Sequence, residues 1–304
     1  YQPAPTWVTP APAIDPAKVA ADAPVVVVLD TQQRIQDGQV WTYIDTANRV
    51  AAAQALAQLG TIQLPWQPAQ GDLIIHSAEI IRGNERIDLI KSGDPFTVIR
   101  REERLAQREL DGMLTATMPI PGLQVGDIVR FRLSITRKDP TLKGDAQTAA
   151  ALLLEPNRAG FVRTRLLWPE KSDVRWRAYV KGVTAQPVTK DGYRELVIAQ
   201  PLPKPADLPS DAPLRYQPFP IVEATTFDGW GAVSKVMAPL YVTDGLIAPG
   251  SPLAAEVARI EKATSDPLQR TALALQLVQE KVSYLLLGME TGNYVPQKPS
   301  DTWA

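Results

Sequence analysis

"VVVVLDTQQRIQDGQVWTYIDTAN", residues 25–48, sets the reading of the whole chain. Two runs rich in Val, Ile, Thr, Trp and Tyr flank the pair Asp37-Gly38. A two-residue hairpin turn of the primed type needs positive φ at both central positions, which Asp-Gly tolerates, so this stretch predicts a β-hairpin. The same signals recur outward from it. "GDLIIHSAEIIRGNERIDLI" predicts a second hairpin about Gly83-Asn84, and "RLAQRELDGMLTATMP" a third about Asp111-Gly112. In "GDIVRFRLSIT", 126–136, Val129, Phe131, Leu133 and Ile135 take one face of a strand and Arg130, Arg132 and Ser134 the other. Between the hairpins, alanine-rich "ANRVAAAQALAQLG", 47–60, predicts a helix stopped at Gly60.

A second β region follows. "FVRTRLLW" and "VRWRAYV" alternate with period two, placing Val174, Trp176, Ala178 and Val180 inward and Arg175, Arg177 and Tyr179 outward. "DGYRELVIAQ" adds a turn and a strand, and short strands between turn signals favour a sandwich. Proline is enriched at 28 residues, five of them in the first sixteen positions and seven between Pro201 and Pro220. Both stretches are expected to be extended, because proline fixes φ and donates no backbone hydrogen bond.

After Thr226 the texture turns helical. Trp230, Val233, Met237 and Leu240 form one stripe, with Asp228 a candidate N-cap. Ser251-Pro252 and Asp266-Pro267 each mark a helix start, and the last helix carries the stripe Leu268, Ala272, Leu275, Val278, Val282, Leu285. The expected fold class is therefore mainly β with a C-terminal α-helical part. Its expected parts are a Pro-rich arm over 1–24, a β-rich domain over 25–140, a second β-sandwich-like domain over 141–222 and helices over 223–304.

At 304 residues the chain is long enough to bury its cores without a metal or disulfide staple. Net charge is −1, which argues against a nucleic-acid partner. The longest aliphatic run, Val25–Leu29, is far too short to span a bilayer, so an integral membrane protein is not expected. The start shows neither a basic n-region nor an apolar h-region, so no signal peptide is visible. Its Pro/Ala-rich composition leads to the expectation of a periplasmic or otherwise exported location.

Chemistry-bearing residues are sparse. With no cysteine and one histidine, the sequence excludes a Cys-His pair and a histidine-rich zinc site, and a Ser-His-Asp triad is nearly excluded because no positioned partner is marked beside His76. No cofactor is expected. His76 alternates with strand residues in "LIIHSAEII" and reads as structural. Glu102, Glu103, Glu109 and Asp111 could flank a glycosidic bond, and Arg100, Arg101, Arg104 and Arg108 could hold an anion. Their interleaving in "RREERLAQRE" instead favours a solvated face. Trp7, Trp41 and Trp66 could stack on sugars, but read better as anchors of packing. Nucleotide, nucleophile-elbow and calcium-loop motifs are absent.

The stretch from "VVVVLDTQQRIQDGQVWTYI" through "LIIHSAEIIRG" to "LQVGDIVRFRLSI" resembles the DUF3857 domain, a β-rich bacterial module. "LRYQPFPIVEATTFDGWGAVSKVMAPLY" looks like that family's junction into helices. "ALALQLVQEKVSYLLLGMETGNYVPQKPSDTWA" is similar to the opening of a transglutaminase-like, papain-like core. In that family a Trp shortly precedes a Gly-Asp-Cys motif carrying the nucleophile, with His and Asp further on. The resemblance implies a chain truncated at Ala304, just before the catalytic Cys, and inactive alone. No catalytic residue can be carried over, and Tyr284, Tyr294 and Trp303 would stand at the cleft edge. Implied partners are a peptide or protein substrate of the missing core. Family habit also points to a periplasmic or otherwise exported location. The competing expectation is a complete, non-catalytic β-sandwich module that grips a protein or glycan.

Overall fold

The computed structural model describes residues 1–19, 23–91, 93–100, 112–213, 216, 219–282 and 294–303. Two units divide it, a β unit that reaches Gly229 and a helical unit from Trp230 onward.

In chain order the strands are β1 (Val26–Gln36), β2 (Gln39–Arg49), β3 (Thr61–Trp66), β4 (Leu73–Arg82), β5 (Glu85–Asp88), β6 (Thr97–Arg100) and β7 (Leu114–Pro119). They continue as β8 (Ile128–Arg137), β9 (Gln147–Ala151), β10 (Phe161–Pro169), β11 (Arg175–Ala178), β12 (Val188–Lys190), β13 (Tyr193–Ile198) and β14 (Ile221–Thr225). One eight-stranded sheet runs β12-β13-β10-β1-β2-β8-β4-β5, and two three-stranded sheets run β11-β14-β9 and β3-β7-β6.

The first hairpin forms as expected. Asp37 and Gly38 take φ of 54° and 70°, and β1 and β2 pair from Gln36↔Gln39 back to Val26↔Asn48. A side chain at Gly38 would collide with the backbone of Gly144, its Cβ lying 2.8 Å from the Gly144 carbonyl oxygen, so glycine is required there twice over. The hairpin at Gly83-Asn84 also forms, as β4 and β5. The turn expected at Asp111-Gly112 reaches outside the described residues, although the flanking strands β6 and β7 do pair antiparallel. The helix expected over 47–60 shrinks to α1 (Ala53–Leu59). Ala47 stays in β2, fully buried opposite Arg130, so sheet packing overrides its helical propensity.

The sheet crosses the boundary expected at residue 140. β1, from the first expected domain, pairs in parallel with β10, from the second, over Val28↔Phe161 to Arg34↔Leu167. The two expected sandwiches therefore share one long sheet. A transverse row reads Leu196, Leu166, Gln33, Thr42, Ile135 and Leu73, so one face of the sheet carries both cores. At one end Leu166, Trp168, Leu196 and Ile198 pack on Ala150, Val222 and Ala224 of β9 and β14. Val174, Trp176 and Ala178 join that core, as their alternation predicts. At the other end Ile75, Ala78, Ile80, Val129 and Leu133 pack on Ile62, Leu64, Ala116 and Met118 of β3 and β7. Between the cores the buried Gln33 amide donates to the Ala149 carbonyl at 3.0 Å.

The helical unit contains α2 (Trp230–Met237), α3 (Pro252–Ala263), α4 (Pro267–Lys281) and α5 (Pro299–Trp303). The caps expected at Ser251 and Asp266 form: Ser251 Oγ accepts from the Ala254 N–H at 3.2 Å, and Asp266 Oδ1 from the Leu268 N–H at 3.1 Å. Asp228 binds the Arg175 guanidinium. The stripe expected about α2 is half-buried at Val233, Met237 and Leu240, with Trp230 left outside it, whereas the stripe expected on α4 faces outward at Leu268, Ala272, Leu275 and Val278. Trp230 is 88% exposed and Leu268 80%, while the half-buried positions of α4 are Arg270, Leu273 and Leu277. Among the described residues no helix is long and apolar enough to cross a membrane.

Candidate functional site: a charged sheet face under an N-terminal strap

The second face of the long sheet is polar and largely buried. Period two puts Asp30 and Gln32 of β1 opposite the apolar set, with Asp45 of β2, Arg130, Arg132 and Ser134 of β8, and Arg163 and Arg165 of β10. Asp30, Gln32 and Ser134 are fully buried, Asp45 nearly so, and Arg130 is only 2% exposed. Register assembles a single row across five strands: Arg163, Asp30, Asp45, Arg132, Ser77.

Two carboxylates directly opposite repel unless each is neutralised. Asp30 is gripped by Arg163, with Nε and a terminal nitrogen at 2.9 and 2.6 Å. Asp45 is gripped by Arg130 at 2.8 and 2.7 Å, and Arg132 adds a third donor at 3.3 Å. Burial pulls the Arg130 pKa down, but the hydrogen bonds and charge of Asp45 outweigh it and leave the guanidinium held above its usual range. Tyr43, in the neighbouring row, is pushed up to about 12, first by burial and then by the Asp45 charge. Such a network is stable only when every member is satisfied.

The cover over this face is the proline-rich N-terminus. Thr9 is read on both sides by one side chain: its N–H donates to Gln32 Oε1 at 3.1 Å, and its carbonyl accepts from Gln32 Nε2 at 2.7 Å. Arg163 also donates to the Thr9 carbonyl at 2.5 Å, Arg165 to the Trp7 carbonyl at 2.9 Å, and Arg86 to the Ile14 carbonyl at 3.1 Å. Each of these arginines is aimed by a carboxylate of the sheet, respectively Asp30, Glu195 and Glu79. Trp7 lies against the Arg34 guanidinium, 5.3 Å from ring centroid to carbon, which places it in packing. Ile14 is buried with Val28, Ala47, Ile81 and Ile128. The arm expected over 1–24 is therefore a docked strap along its described residues.

His76 belongs to the same contact. One ring nitrogen, Nδ1, lies 2.9 Å from the Gln2 carbonyl and the other, Nε2, 2.8 Å from Ser134 Oγ, and the ring stacks on Tyr43. Burial lowers its pKa, which fits a neutral ring donating from Nδ1 to Gln2 and accepting at Nε2 from the Ser134 hydroxyl. Both nitrogens are engaged, so neither is free to act as a base.

Of the other residues singled out in the sequence, Trp66 packs against the second core and the Trp41 indole N–H donates to Gln39 at 3.0 Å. Glu102, Glu103, Glu109, Asp111, Arg101, Arg104, Arg108 and Tyr284 lie outside the described residues. Tyr294 is half-buried, and its carbonyl accepts from the Tyr241 hydroxyl at 3.4 Å. Trp303 is half-buried in α5. Among the described residues no three His, Asp or Glu side chains gather to hold a metal. The sequence reading missed Asp30, Gln32, Asp45, Arg163 and Arg165. Their signal was polar alternation inside strands whose other positions are apolar.

Residues 36–205, more than half of the chain, match the family model for DUF3857, a domain of unknown function with a solved structure. The chain belongs to the DUF3857 family. This DUF3857 chain is similar in structure to a candidate protease from Parabacteroides distasonis, with a TM-score of 0.64 and 13% identity. The match covers 90% of the DUF3857 chain and 53% of that protein, so the chain spans about half of its neighbour's length, and the likeness concerns the fold. An M1 zinc metallopeptidase from Deinococcus radiodurans matches at a TM-score of 0.32 and 14% identity, over 66% of this chain and 41% of its own, too weakly to inform function. No curated protein matches the sequence.

Proposed function

We propose that this DUF3857 chain is the non-catalytic, positioning part of a transglutaminase-like cysteine peptidase or acyltransferase, whose Cys-His-Asp triad is encoded outside these residues. The observation that carries the reading is the outward apolar stripe of α4, beside the exposed Trp230 of α2. Leu268, Leu275 and Val278 of α4 are 80%, 57% and 52% exposed, and Trp230 of α2 is 88% exposed. Exposed apolar stripes of this kind mark surfaces built to be covered, and the missing part of a papain-like core is the cover proposed. In that arrangement Tyr284, Tyr294 and Trp303 stand at the edge of the cleft and the β unit orients a peptide or protein substrate. The chemistry is consistent with a division of labour: there is no thiol, and the one imidazole has both nitrogens bound within the fold. The likeness to half of a candidate protease supports the same reading.

The test begins by reading the coding sequence on either side of these residues for a Cys followed by His and Asp. The longer product and the 304-residue chain are then assayed for amide hydrolysis and for transfer of a glutamine acyl group to an amine. Activity is expected only from the longer product and is lost when its Cys is changed to Ser. Turnover by the 304-residue chain unaided would overturn the proposal.

A second reading, a non-catalytic module that binds a protein, is favoured by one observation, the strap laid across the charged sheet face.

A further inference from the structure

We infer that the charged face of the long sheet is a recognition site for an extended, proline-rich segment of a partner protein, and that residues Trp7–Ile14 fill it in cis as a displaceable stand-in. This does not depend on the proposed acyl chemistry.

The argument starts from what the face offers. Arg163, Arg165 and Arg86 each spend part of the guanidinium on a sheet carboxylate and turn a remaining N–H outward to a strap carbonyl. The face is thus a set of fixed donors with one acceptor among them, Gln32 Oε1, which takes the Thr9 N–H. A polyproline-type chain is the complement of that pattern. It has no internal hydrogen bonds, its carbonyls are free, and prolines bring no N–H that would need a partner. In "TWVTPAPAI", residues 6–14, the N–H read by Gln32 belongs to the residue before Pro10. The recognised chemistry is therefore an aromatic residue in a turn two places before the residue that Gln32 reads, followed by an extended stretch that carries prolines. The turn is closed by the Val8 N–H on the Pro5 carbonyl at 3.0 Å.

A second observation marks the stand-in as an imperfect fit. Trp7 Nε1 and Arg34 Nε are both buried and neither finds an acceptor. They lie together where the Trp7 ring meets Arg34. Orphaned buried donors weaken a contact, and a segment presenting a carbonyl or carboxylate at this point would satisfy them. A cis occupant also lowers apparent affinity in trans, because only the fraction of molecules with the strap lifted is competent to bind.

The probe is a fluorescent peptide of residues 4–15, titrated by anisotropy into the full chain, the Trp7→Ala chain and the Trp7→Ala/Gln32→Ala chain, each checked for an unchanged near-ultraviolet spectrum. Loosening the strap by Trp7→Ala is expected to tighten peptide binding about tenfold or more relative to wild type. Adding Gln32→Ala is expected to return it to background. A scrambled peptide with the same composition is expected not to bind. Equal binding by the wild-type and Trp7→Ala chains, or binding that survives Gln32→Ala, overturns the site. Hydrogen exchange on the wild-type chain gives a check free of substitutions. The Thr9 amide is expected to exchange much faster than the amides of β1, and faster still with excess peptide. Exchange of Thr9 in step with β1 would show that the strap is a permanent part of the sheet and would overturn the proposal.

Discussion

The two units treat surface chemistry in opposite ways. In the β unit, Asp30 and Asp45 are buried to 0% and 1% exposure, whereas in the helical unit Trp230 and Leu268 stand 88% and 80% open. Residue type predicts the reverse, since carboxylates are rarely buried and large apolar side chains usually are. Cover decides the matter. The sheet face has a strap laid over it and a guanidinium for each carboxylate, so its charges can be withdrawn from water. Among the described residues the stripe of α4 has no such cover, and the helix turns Arg270, Leu273 and Leu277 toward its half-buried side.

The sharpest way to break this contrast is Asp45→Ala, which strands Arg130 as an unpaired buried charge. Urea unfolding should show a loss of about 3–5 kcal/mol, and Asp45→Ala combined with Arg130→Met should recover much of it. Recovery would assign the loss to the orphaned charge; no recovery would assign it to packing.

A smaller effect should follow acidification. His76 has its pKa lowered from an ordinary 6.5 in the folded chain, so between the two values the unfolded state binds more protons. The stability that the neutral ring contributes is complete above 6.5 and is lost as pH falls through the lowered value. Melting temperature should drop over that window in wild type, and less so in His76→Gln. A separate acid limb should appear lower down. The Arg82 hydrogen bonds first of all, then the Gln124 N–H, outweigh burial and hold the Asp127 pKa below its ordinary 3.8. The stability from Asp127 is therefore present above 3.8 and lost as pH falls through the depressed value. Asp127→Asn should remove that limb.

The smallest change in stability should come from the exposed stripe. Leu275→Ser is expected to shift unfolding by no more than about 0.5 kcal/mol. It should still reduce self-association at high concentration, measured by light scattering, because it interrupts an apolar surface. A loss of several kcal/mol would mean that Leu275 is buried in solution.

Local structure was legible where turn chemistry and period agreed. Asp37-Gly38 and Gly83-Asn84 specified their hairpins, and Val174, Trp176 and Ala178 reached the core that their alternation required. The sheet's second face was not legible, because alternation distinguishes polar from apolar sides without saying what lies over the polar one. Nothing near Arg163 in the sequence points to Asp30, 133 positions away, and only the parallel β1–β10 pairing brings them together. Proline content predicts an extended N-terminal arm, but that the arm docks depends on donors scattered over β1, β5 and β10. For α4, the stripe chosen by counting apolar residues was not the one the helix half-buries. The half-buried side pairs Leu273 and Leu277 with Arg270, whose guanidinium donates to the carbonyls of Thr264 and Glu261, and counting apolar residues on one helix cannot see such an anchor.

The family match begins at residue 36, whereas β1 ends at Gln36. Cutting the gene at the homology boundary would thus delete the keystone between the β13-β10 wing and the β2-β8-β4 wing. Such a fragment would keep every residue by which its kinship is recognised and still have two half-arches with no span joining them.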